Sequence, residues 1–176
     1  AFDGLQADIQ EAASQGLDAW FELLRPAEDM EVEISIDAFD PSSSSTLARG
    51  GSTFFPSDGL PNGGVPSVFA NEIITGSDTN GSDPDVTISL ARENLSELSF
   101  GTTGSDQISA VNVFTHEIGH ALGISSFRNN PGVDIESIWD TFLTTNGSGD
   151  LVFDGLNARA ANGGSPILLD DPAHFS

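Results

Sequence analysis

Apolar residues change their spacing along this chain, and the changes constrain its fold class. Leu5, Ile9, Ala12, Ala13, Trp20, Leu23 and Leu24 recur at helical intervals until Pro26 stops them, which predicts an amphipathic helix over residues 3 to 25. Val32, Ile34 and Ile36 then alternate with Glu33, Ser35 and Asp37, the period of a half-buried strand, and Val86-Thr87-Ile88-Ser89-Leu90 repeats the pattern. Helical spacing returns at Ile108, Val111, Val113, Phe114, Ile118, Ala121 and Leu122. Thr102, Thr103, Ser105 and Asp106 are candidate caps for this helix, and Gly123 is where it should end, because glycine enters the left-handed conformation freely. Helix, strand, loop, strand, helix is an α+β order.

Between these elements, residues 41 to 66 are rich in Ser, Gly and Pro and read as an ordered surface loop anchored by Phe54-Phe55. Val68 to Ile74 fits a short helix or a strand equally well. Beyond Gly123 the pattern becomes irregular, except that Ile138–Thr144 and Leu151–Phe153 flank Asn146-Gly147-Ser148-Gly149 as the arms of a hairpin would. The expected organisation is an N-terminal subdomain, 1–123, whose last helix covers about 106–122, and a smaller C-terminal part, 124–176.

Chemistry concentrates in that last helix. His116-Glu117-Ile118-Gly119-His120 puts two imidazoles one turn apart on the same helical face, so both can reach one ion. Glu117, offset to the flank, can take a proton from a metal-activated water without occupying a coordination position. With three His and ten Glu in 176 residues, chance supplies this pattern in about one shuffled chain in 500. The bland alternative is a helix showing polar residues to solvent, but the apolar approach and Ala121-Leu122-Gly123 suggest burial on most sides, where imidazoles need partners.

Catalytic zinc usually takes three protein ligands. His116-Glu117-Ile118-Gly119-His120-Ala121-Leu122-Gly123 resembles the zinc helix of the metzincin metallopeptidases, whose pattern continues to a third His three residues after the glycine. Here that position is Ser126, a poor zinc ligand. One branch of the metzincins, the leishmanolysin-like and bacterial secreted enzymes, inserts a long segment before the third His. His174, in Ala173-His174-Phe175 and preceded by Val152–Ala158 and Gly163–Leu169, is similar to that arrangement. The resemblance implies zinc held by His116, His120 and His174, Glu117 as general base, and a twisted mixed sheet backed by two long helices, with the zinc helix at a cleft along one sheet edge. A small irregular C-terminal part would return the third ligand, and an extended peptide could add a strand to the sheet edge. Asp134 and Asp140 are carboxylate alternatives for the third ligand. The chain departs from the family in its methionine: Met30 lies upstream, and no methionine follows His174 to form the turn beneath the metal.

Composition narrows the partners. Five Lys+Arg against 27 Asp+Glu give a net charge of −22, which argues against nucleic acid and anionic membranes. No apolar run reaches the roughly 20 residues of a membrane span. Cysteine is absent, so neither disulfides nor thiolates contribute. Asp78, Asn80, Asp83 and Asp85 alternate oxygen donors around Gly81 as calcium loops do, although Ser89 stands where a closing glutamate would, and a polar turn is the simpler reading. The expectation is a secreted, monomeric zinc endopeptidase acting on polypeptides, its leader removed before Ala1. The alternative is an inactive, metal-stabilised binding module.

Overall fold

The computed structural model describes residues 2–26, 30–41, 45–54, 64–101, 104, 106–128 and 136–170, together with the backbone of 171, 174 and 175. It is an α+β protein of two compact units: residues 1–53 with 67–122, and residues 54–66 with 123–176.

The first unit is built on a small mixed sheet. Helix α1 (Gln6–Leu24) leads to strand β1 (Ile34–Phe39), strand β2 (Ala48–Gly51), helix α2 (Val68–Thr75) and strand β3 (Val86–Ala91). The strand order is β1-β3-β2. β1 runs parallel to β3, with Ile34 opposite Val86 and Ile36 opposite Ile88, and β2 runs antiparallel on the other side, with Gly50 opposite Ile88. β1 begins at Ile34 and continues to Phe39, two residues later at its start than the alternation suggested, because Glu33 is engaged with Asp85 at the mouth of the parallel pair. Val68–Thr75, open in the sequence, is helical: Ser67 caps it by accepting from the Ala70 N–H at 3.0 Å, and Gly76 ends it at φ 65°.

A 3₁₀ turn (Arg92–Glu97) and the two-residue strand β4 (Leu98–Ser99) follow, pairing in parallel with β5 (Ile108–Ser109) and leading directly into helix α3 (Ala110–Ala121). α3 therefore starts later than the 106 expected. Its cap is Ser109, not Asp106, since the pairing of Ile108 and Ser109 with β4 keeps them extended; the other candidate caps, Thr102, Thr103 and Ser105, lie outside the described residues. Gly123 follows the helix at φ 92°, as its sequence position suggested.

Ile9, Ala12 and Ala13 of α1, Phe69 of α2, Val86, Ile88 and Leu90 of β3, and Phe114 and Ile118 of α3 share one core. Phe69, Val86, Ile88, Leu90, Phe114 and Ile118 are fully buried, and each such side chain contributes about 1.5–3 kcal/mol relative to exposure. α1 and α3 meet at Gly16, where a β-carbon would lie 2.9 Å from the Thr115 amide nitrogen. Close by, the Trp20 indole N–H donates to the Thr115 carbonyl at 2.7 Å.

The second unit is not irregular, as its sequence suggested. After a 3₁₀ turn (Trp139–Phe142) it forms a four-stranded antiparallel sheet in the order β6-β7-β8-β9, from β6 (Leu143–Thr145), β7 (Leu151–Phe153), β8 (Ile167–Asp171) and β9 (His174–Phe175), with the short helix α4 (Leu156–Ala161) between β7 and β8. The β6–β7 pair is the expected hairpin; its turn is closed by the Asn146 carboxamide oxygen, which accepts from the Ser148 and Asp150 N–H groups. Its small core joins Trp139, Leu143 and Leu169, with Phe153 stacked on Trp139 at 4.2 Å between ring centres. Phe54 meets Phe127 edge-on at 4.6 Å, giving the first of the two expected anchors a partner, while Phe55 is outside the described residues. Among the described residues no helix is long and apolar enough to cross a membrane.

Candidate active site

α3 presents His116 and His120 on one face, ring centres 4.7 Å apart and nearly perpendicular at 84°. The burial is the reverse of the sequence-based expectation. His116 is exposed and His120 half-buried, whereas Glu117 is only 7% exposed. The apolar residues that suggested burial, Val113, Phe114, Ile118 and Ala121, face the core and leave the imidazole side open.

β2 sets the position of Glu117. A β-carbon at Gly50 would fall 2.5 Å from both the β-carbon and the carbonyl oxygen of Glu117, so only glycine lets the strand backbone lie this close to the helix flank. β2 is an edge strand, paired on one side with β3. A cleft of about 340 Å³ opens here, with His116 and Glu117 on one wall, Leu47 and Ala48 on another, and Ile108 and Asn112 completing it. Sequence reading missed both β2 and Gly50: Ala48-Arg49-Gly50-Gly51 shows no alternation and a single apolar residue, Ala48, and a glycine pair in a loop-like stretch was the only available signal.

As a donor set, two imidazoles one turn apart beside a carboxylate fit two positions and a base of a zinc site. His174 lies in β9, where the Asp171–His174 pairing holds its backbone in a strand of the second unit; its side chain is outside the described residues. Among the described side chains no group of three or more His, Asp or Glu is spaced to hold one ion.

The carboxylate alternatives fare differently. Asp134 is outside the described residues. Asp140 is fully buried and employed in its own unit: its oxygens accept from the Ser126 hydroxyl, the Phe127 N–H at 2.9 Å and the Ser137 N–H at 3.0 Å, with Arg128 Nε at 3.8 Å. Ser126, at the position of the usual third His, is thereby a donor to Asp140. Met30 packs against the core of the first unit.

The 78–85 segment satisfies much of its own polarity. Asp78 Oδ1 accepts from the Asn80 and Gly81 N–H groups at 3.1 and 2.7 Å, Asn80 Nδ2 donates to the Asp83 carbonyl at 2.6 Å, and Asp85 Oδ2 accepts from the Glu33 N–H at 2.8 Å. These contacts close it as a hydrogen-bonded turn, in which Asn80 Oδ1 is buried without a hydrogen-bond partner among the described residues. Compared with known proteins, the chain matches no family model, no curated protein and no solved structure.

Proposed function

We propose that this chain is a zinc-dependent endopeptidase of metzincin type, secreted and acting on polypeptides, with His116, His120 and His174 as the metal ligands and Glu117 as the general base. The observation that carries the reading is the pairing, on one helix, of two imidazoles, one exposed and one half-buried, with a buried glutamate whose β-carbon and carbonyl lie against the Gly50 backbone at a sheet edge. Further support comes from a mixed sheet whose antiparallel edge strand borders the cleft, and from two long helices packed together through Gly16.

Zinc, when bound, supplies Lewis acidity, lowering the pKa of water and polarising a carbonyl. The chain's own residues do the rest. Glu117 takes a proton from the attacking water and delivers it to the leaving amine, a step worth about 10²–10⁴ in rate. The Gly50 backbone lies against the Glu117 β-carbon and carbonyl, which fixes where this side chain leaves the helix beside the cleft. The edge of β2 away from β3, which pairs with no other strand among the described residues, offers backbone N–H and C=O groups to an extended peptide, aligning its scissile bond along the cleft.

The test is Glu117→Gln, which preserves volume and removes the base. Zinc content by mass spectrometry should equal that of the wild type, while hydrolysis of an unfolded protein such as casein falls by about 10²–10⁴. Undiminished hydrolysis ends the proposal. A paired measurement addresses the third ligand: His174→Ala should lose most of its zinc and Ser126→Ala little. Equal retention in the two variants removes His174 from the ligand set.

A further inference from the structure

The β6–β7 turn joins an asparagine to a glycine, and its hydrogen bonds converge on the asparagine carboxamide. Asn146 Oδ1 accepts from the Ser148 N–H at 2.9 Å and the Asp150 N–H at 3.0 Å, while Nδ2 donates to Asp150 Oδ2 at 3.1 Å. Two backbone bonds fix the frame: the Asn146 N–H donates to the Asp150 carbonyl at 2.9 Å, and the Gly149 N–H to the Asn146 carbonyl at 3.0 Å. The Gly147 N–H makes no hydrogen bond among the described residues, and a β-carbon at Gly147 would meet no atom within 4 Å. The turn is exposed throughout, so water reaches it.

These groups suit one reaction. The backbone nitrogen of the residue after an asparagine can attack its Cγ and close a five-membered ring, and glycine obstructs that approach least. As Cγ becomes tetrahedral, negative charge gathers on Oδ1, where the Ser148 and Asp150 N–H groups already point. Bonds to a charged oxygen are stronger than bonds to a neutral carboxamide, so these donors favour the reacting state over the resting one. Nδ2, the departing nitrogen, faces the Asp150 carboxylate, which can take the Gly147 proton and pass it on.

We propose that Asn146-Gly147 is a self-modifying site, at which the folded turn promotes conversion of the asparagine to a succinimide and then to aspartate or isoaspartate. The Gly147 nitrogen bonds to Asn146 Cγ and gives up its proton, the Cγ–Nδ2 bond breaks, and the nitrogen leaves as ammonia. Water then opens the ring at either carbonyl, so amide and water become acid and ammonia with no redox change. The product carboxylate meets the Asp150 carboxylate where an amide had donated, and the isoaspartyl form adds a carbon to the backbone, so the turn loosens. The same dipeptide at 80–81 and 162–163 lacks this arrangement. Asn80 Oδ1 is buried with no hydrogen-bond partner among the described residues, and the Gly81 N–H is engaged by Asp78 Oδ1 at 2.7 Å. Asn162 is held through its nitrogen, Nδ2 donating to the Ser165 and Pro166 carbonyls at 3.2 Å each. Asn62-Gly63 lies outside the described residues. The site stands apart from Glu117 and from the catalytic reading.

Peptide mapping by mass spectrometry during incubation at neutral pH tests it, with isoaspartate counted by enzymatic methylation. The folded wild type should convert Asn146 about tenfold faster than Asn80 or Asn162, and in urea, where the turn is lost, the three rates should converge. Gly147→Ala puts a methyl into open space, so the turn survives, and conversion should fall about tenfold because the nitrogen is now hindered. Asp150→Asn keeps the backbone N–H and removes the proton carrier, so conversion should fall several-fold. Circular dichroism shows that each variant is folded; should one fail to fold, the other decides. A folded rate at Asn146 no higher than its rate in urea overturns the proposal, as does conversion of Asn80 or Asn162 at the Asn146 rate in the folded protein, or a wild-type rate in either folded variant.

Discussion

Asp140 shows how a single buried side chain can organise a unit with little hydrophobic core. Its carboxylate gathers the Ser126 hydroxyl and the backbone N–H groups of Phe127 and Ser137, its own N–H reaches the Ser137 hydroxyl at 3.1 Å, and its carbonyl accepts from Arg128 at 2.6 Å. Ser137 extends the network by donating to the Ser125 carbonyl at 2.6 Å. Asp140→Ala leaves these donors facing a void and Arg128 without its buried counter-charge, so it should cost about 3–5 kcal/mol. Asp140→Asn keeps acceptors but loses the charge and should cost less. Denaturant melts of the two variants check the order; an alanine variant as stable as wild type would show that the network contributes nothing net. Sequence reading treated Asp140 as a possible zinc ligand because it saw a carboxylate near the zinc motif. Which donors surround a carboxylate depends on contacts between residues 12 to 14 positions apart, and these leave no local pattern.

At the scale of elements, the packing of α1 on α3 depends on the missing side chain at Gly16. Alanine there would gain about 1 kcal/mol in helix propensity. It would also drive a methyl against the Thr115 amide nitrogen at 2.9 Å and the Phe114 β-carbon at 3.0 Å, atoms on or next to the helix backbone that cannot rotate away. Overpacking of this kind costs about 1–3 kcal/mol, so packing outweighs propensity. Gly16→Ala should lower the thermal midpoint, with each kcal/mol worth about 2–4 °C in a chain of this size; a raised midpoint would mean that α1 shifts without penalty. The two long helices and the strands at Ile34 and Val86 were legible because burial on one face writes a period into the sequence. β2, β4 and β5 were not. Leu98–Ser99 and Ile108–Ser109 are too short to carry a period, and Ala48–Gly51 is held by pairing with β3, about 40 residues away in sequence. The candidate site divides in the same way. The His116–His120 spacing is local and could be read directly, whereas the burial of Glu117 depends on β2 and could not.

For the whole molecule, charge dominates. Against 27 acidic residues there are five arginines and lysines, and among the described residues the ion pairs that involve them are few and mostly exposed: Arg92 with Asp40, Arg159 with Asp154, and Arg128 with Glu136 and the buried Asp140. Arg49 lies over the Phe39 ring at 4.4 Å, a contact that salt screens less than a pair of exposed ions. Surface pairs contribute about 0–1 kcal/mol each, so their loss to screening is small. The repulsion among 22 uncompensated negative charges is collective, and compacting the chain intensifies it. Salt should therefore stabilise this protein. Raising sodium chloride from about 10 mM to about 500 mM shortens the screening length from about 30 Å to a few ångströms, below the distance between most surface carboxylates. The thermal midpoint at neutral pH should climb by several degrees over that range, steeply at first and levelling off as screening saturates. Sucrose at matched osmolality separates screening from surface exclusion, because it strengthens burial without touching the charges. A midpoint that stays level or falls with salt would show that local ion pairs outweigh the net charge in setting the stability of the fold.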